Sequence, residues 1–137
     1  MTKSLAIMCC SLTLSISGLG QERSEPTLEQ TVERSVFGGH TEGIGIKQVR
    51  RGGDSSAAAL ARVISDRRLD DSQIEMAAFL LGAAFSQPNL IENRGDREPR
   101  IALLLLKYFE LATGDQALRD KIEHTRENIV GHAPGPQ

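Results

Sequence analysis

Met76 to Phe85 is a run of ten residues without a single charge: Met-Ala-Ala-Phe-Leu-Leu-Gly-Ala-Ala-Phe. A helix that is apolar on every face has to be covered from several sides. Whatever this chain folds into, the segment belongs near its centre. Its ends are marked as well. Asp70 stands where an N-cap would, with Gln73 three residues on, which is the capping-box spacing. Leu69 and Ile74 occupy the two hydrophobic-staple positions. Pro88 ends the segment, because the residues before a proline are driven out of helical backbone. A helix over 71–86 is predicted.

Three more helices follow from the same kind of argument. Asp54, after Gly52-Gly53, is a natural cap for a helix over 55–68 whose apolar face is Ala58, Leu60, Ala61 and Ile64. Pro99 suits the first turn of a helix over 99–113. Ile101 to Leu106 is unbroken apolar sequence, which a strand could also use. Helical spacing continues through Leu105, Tyr108 and Ala112, and Leu and Ala are good helix formers, so helix is preferred. Asp115 caps a helix over 116–130 with the stripe Leu118, Ile122, Thr125 and Ile129, a supporting Arg119–Glu123 spacing, and Gly131 at its end. The expected fold is all-α. Two hairpins, four helices, fill residues 54–131, and a frayed tail occupies 132–137. The helices over 71–86 and 99–113 are expected in the middle, the other two outside.

The hairpins repeat. Asp54 to Glu98 and Asp71 to Asp115 are both 44 positions, and at that offset Ala58 meets Ala102, Leu60 meets Leu104 and Ile74 meets Leu118. The stretch Asp96-Arg97-Glu98-Pro99-Arg100-Ile101-Ala102-Leu103-Leu104 resembles the start of a HEAT-type first helix, and the period is in the HEAT and armadillo range. The resemblance covers about half the chain, residues 54–130. It implies a short HEAT-like α-solenoid; the alternative is a four-helix bundle of two similar hairpins. A two-unit solenoid leaves apolar end faces. Those faces imply self-association, an unknown protein partner, or residues 27–49 folding back as a cap.

Upstream, the pattern changes. Residues 1–20 carry one charge, Lys3, then an uncharged apolar stretch to Leu19 that ends in Ser15, Ser17, Gly18 and Gly20. This is the layout of a secretory signal peptide, with cleavage after Gly20 or Ser17. The protein is therefore expected to be exported, to the periplasm, cell envelope or outside. A membrane role arises only if this segment stays uncleaved. Cys9 and Cys10 both lie inside it, so the processed chain would hold no thiol nucleophile, Cys-based metal site or disulfide. Residues 21–53 are expected as a Gly-rich lead-in. A short helix over 27–36 carries Leu28, Val32 and Val36 and is stopped by Gly38-Gly39. Six glycines within 38–53 then favour loop, although Ile44, Ile46 and Val49 allow a brief helix or an extended strap.

Composition narrows the function. Lys+Arg number 16 against 18 Asp+Glu, and the chain has no Trp, one Tyr and four Phe. There is no global charge and no stack of rings for nucleic acid. His40, His124 and His132 form no helical metal pair. Asp120 and His124 are four apart and are expected as a solvated helix-face pair. Gly43-Ile44-Gly45 lacks the remaining glycines of a nucleotide-binding loop, and no nucleophile elbow occurs. Lys47, Arg50 and Arg51 make the one basic cluster; Asp96, Arg97, Glu98 and Arg100 mix charges at a helix start. No catalytic, cofactor-binding or metal-ligating residue is assigned. The function expected is a non-catalytic exported helical module for protein–protein contact or scaffolding. Alternatives are a small exported enzyme using carboxylates such as Glu92 or Asp96, and a membrane-anchored structural protein.

Overall fold

A computed structural model describes residues 26–39 and 43–132, without the side chains of Ile44 and His132. The proposed signal segment, His40 and residues 133–137 lie outside the described residues. Six α-helices are described and no strand: α1 Leu28–Gly38, α2 Gly43–Gly52, α3 Asp54–Ile64, α4 Asp71–Ala84, α5 Arg100–Ala112 and α6 Gln116–His132. The all-α expectation holds. Four helices fill residues 54–132; upstream, the short helix expected over 27–36 forms as α1, and α2 brings the count of described helices to six.

The local signals at α4 act as expected. Asp70 accepts the Gln73 N–H at 2.9 Å, and the Gln73 side chain accepts the Asp70 N–H at 2.9 Å. Asp115 likewise accepts from Ala117 and Leu118 at the start of α6. α1 is capped by Thr27 with Gln30 in the same reciprocal way and ends at Gly39, whose φ of 64° is left-handed.

Other boundaries differ. Residues 65–68, expected in helix, lie outside α3. Pro99 caps α5 instead of opening it, and α6 runs through Gly131 instead of stopping there. Arg119 reaches the Thr113 carbonyl at 2.9 Å and Gln116, not Glu123.

α2 lies in the stretch where six glycines within 38–53 favoured loop, and the brief helix that Ile44, Ile46 and Val49 allowed is what forms. Isolated, this segment would be a poor helix. Packing overrides that. Val49 is fully buried, and Gly45 lets α1 come so close that a Cβ there would stand 3.0 Å from Thr31 Cγ2. Gln48 then joins the two helices, accepting from the Thr31 hydroxyl and donating to the Pro26 carbonyl at 2.6 Å. Residues 28–52 thus fold back onto the rest, and Val32, Val36 and Val49 belong to the same core as Leu60, Leu81 and Phe109.

The helices pack in two rows. α1, α3 and α5 neighbour one another in sequence, as do α2, α4 and α6, while α3 and α6 hardly meet. Within a row the helices run parallel. Glu29 of α1 pairs with Arg62 of α3, and Glu33 further along α1 pairs with Arg67, just past the end of α3. Asp54 meets Ile101 where α3 and α5 both begin. Glu75 pairs with Lys121 early in α4 and α6, and Gly82 faces Thr125 further along both. α4 touches all five other helices, which is the place its charge-free sequence demanded.

α5 is not buried as expected. Its inward face is Ala102, Leu106 and Phe109, each fully covered. Tyr108 and Ala112, expected on the buried face, are exposed. Where six consecutive residues are apolar, periodicity has no contrast with which to choose a face. α3 is the more enclosed of the two, since α1 covers a side that was expected to be wet.

Candidate functional site

Two surfaces stand out once the core is removed from consideration. The first lies on α5. Leu104, Tyr108 and Leu111 are spaced as one helical stripe and are 71%, 57% and 74% exposed. Singly exposed apolar residues are ordinary; three in a row on one helix face are not. The Tyr108 ring also meets Phe109 edge-on at 5.7 Å, so it sits against a fixed neighbour.

The second is a cleft of about 390 Å³ in the other row, between α4 and α6 with α2 alongside. Ala78, Phe79, Ala83, Phe85 and Ile129 give it a mostly apolar lining; Ser86 and Thr125 add hydroxyls. Gly82 stands on the wall, and a Cβ there would meet Thr125 Cγ2 at 3.2 Å. From α2 comes Arg50, whose Nε is buried and has no hydrogen-bond partner.

The basic cluster of the sequence is thereby taken apart. Lys47 is exposed, Arg51 lies 3.6 Å from Glu92, and Arg50 alone turns into the cleft. The carboxylates that could have served an enzyme have structural partners. The Glu92 carboxylate lies 3.6 Å from Arg51 Nε. Asp96 accepts the Ser55 hydroxyl at 2.6 Å. Glu98 pairs with Arg100, which raises the Arg100 pKa through the hydrogen bond and the adjacent negative charge. Asp120 accepts from Gln116 at 2.9 Å and is not brought together with His124, which is exposed on α6. No group of three or more metal-ligating side chains occurs among the described residues.

Asp54 is the polar residue whose role the sequence concealed. It was expected to cap its own helix. Instead Gly53 takes that place, and the Asp54 carboxylate crosses to the start of α5, accepting from Ile101 and Ala102 at 3.0 Å. A Pro at the cap position of α5 has no side-chain acceptor, so these N–H groups need one from elsewhere. That need was the available signal.

Comparison with family models, with curated proteins and with solved structures finds no match for this chain.

Proposed function

We propose that this protein is an exported, non-catalytic helical module that acts by surface contact, built as a short HEAT-like solenoid whose last hairpin carries the contact face. The observation behind the proposal is the Leu104–Tyr108–Leu111 stripe on α5. Parallel rows of hairpins with little contact between α3 and α6 favour a stacked array over a four-helix bundle, in which first and last helices would be adjacent. In such an array each unit covers its neighbour. At one end α1 and α2 provide cover; α5, at the other, keeps its apolar stripe open.

Export rests on residues 1–20 and is tested by intact mass after expression with secretion: a chain starting at Gln21 or Gly18 supports it, and a full-length secreted or retained chain contradicts it. No helix among the described residues is long and apolar enough to cross a membrane.

The contact function is tested by light scattering after size-exclusion chromatography. Self-association is expected for the natural chain and loss of it for Leu104→Glu, with helix content and melting temperature unchanged. A natural chain that remains monomeric up to high concentration would remove self-association as the function.

A further inference from the structure

Across the helix interfaces of this protein, cations find carboxylates. Arg62 has Glu29, Arg67 has Glu33, Lys121 has Glu75 and Arg126 has Glu110. Arg50 and Arg97 each have a buried Nε without a hydrogen-bond partner, and of the two it is Arg50 that lines the cleft. Arg50 is half-buried, and no ion pair to it occurs among the described residues. The rest of the cleft is mostly apolar, with Ser86, Thr125 and Asn128 as its other polar residues, and Phe79 remains 55% exposed at its margin.

We infer that the cleft between α4 and α6 binds a small carboxylate with an aliphatic body, the carboxylate on the Arg50 guanidinium and the chain along Phe79, Phe85 and Ile129. Charge decides the head group: a planar guanidinium matches a carboxylate in two-pronged geometry. A phosphate monoester would bring about two charges, and Arg50 is the one cation among the described residues of the lining. The apolar walls decide the body, since acetate would leave them wet. The size, about 390 Å³, suits a small molecule. Gly82 contributes by omission, because any side chain there would crowd Thr125 and narrow the space.

The probe is sodium decanoate, below its micelle concentration, titrated into the full chain by calorimetry or by amide chemical shifts, with 1-decanol and acetate as the paired controls. Decanoate is expected to bind well above either control and to weaken as salt is raised. Arg50→Gln is expected to weaken decanoate at least tenfold and leave decanol unchanged. Should Arg50→Gln fold poorly, Phe79→Glu adds a negative charge at an exposed position and is expected to repel decanoate equally well. Equal binding of decanoate and decanol, or of decanoate to natural and Arg50→Gln protein, would overturn the inference. So would shifts confined to α5. Binding only of a peptide through its C-terminal carboxylate, with decanoate inert, would overturn it in favour of a protein ligand.

Discussion

Asp54 accepts the Ala102 N–H at 3.0 Å across 48 positions of sequence, so one hairpin caps the first helix of the next. The same carboxylate takes the Ile101 N–H. A buried carboxylate holding two otherwise orphaned donors does more than an exposed cap can.

Asp54→Ala is therefore expected to destabilise the protein by about 2–3 kcal/mol, at the upper end for loss of a cap, because the N–H groups at the start of α5 are left without an acceptor. Asp54→Asn keeps one acceptor oxygen and should lose less. Urea unfolding followed by circular dichroism measures both.

Gly53 lies one residue earlier, with a φ of 54°. A Cβ there would meet the Asp96 carbonyl oxygen at 2.4 Å and Ile91 Cγ2 at 2.8 Å. Neither is the free end of a flexible side chain. Gly53→Ala should cost about 2 kcal/mol or more from the left-handed backbone and the collision together. Gly39→Ala, at an αL position (φ 64°, ψ 23°) with nothing within 4 Å, should cost less, about 1 kcal/mol. Thermal melting of both variants measures the two losses.

Asp70 has its carboxyl held below the usual value, chiefly by the Gln73 backbone N–H and then by the Ser72 hydroxyl. A lowered native pKa means the stabilisation is complete above the unfolded-state value near 3.8 and is lost as pH falls through the lower native value. Asp70→Asn can still cap but cannot titrate there. Its melting temperature should fall less steeply than that of the natural protein below about pH 4, while the two run in parallel at neutral pH.

Much of this was readable because it is local. The capping box of α4, the stripe of α6 and the termination of α1 at Gly38-Gly39 each depend on residues within a few positions of one another. What escaped depends on distance along the chain. Asp54 looks like the cap of α3, and only folding shows that α5 lacks one. α2 looks like loop because its glycines are counted as helix breakers, whereas Gly45 is what lets Thr31 approach. The α5 stripe begins at Leu104 inside Ile101–Leu106, where every residue is apolar and the buried face is chosen by neighbours, and runs on through Tyr108 and Leu111. The cleft draws on three helices, and its one sequence trace was Arg50 inside a basic cluster whose other members turn elsewhere.

Whether residues 28–52 are an attachment or part of the cooperative unit can be decided at Val49. This side chain is fully buried in the common core, and Ser56, on α3, donates its hydroxyl to the Val49 carbonyl at 2.7 Å. If the first hairpin merely rested on the others, its loss would leave them folded, and a cavity at Val49 would loosen only α1 and α2. Shared burial of Val32, Val49, Leu60 and Leu81 argues the opposite. Val49→Ala removes two methyl groups, worth about 2 kcal/mol with the cavity left behind. The expected result is a single unfolding transition moved to lower denaturant, with the same loss of hydrogen-exchange protection at Leu81 on α4 as at Val32 on α1. Protection lost at Val32 and retained at Leu81 would show that the hairpin opens by itself.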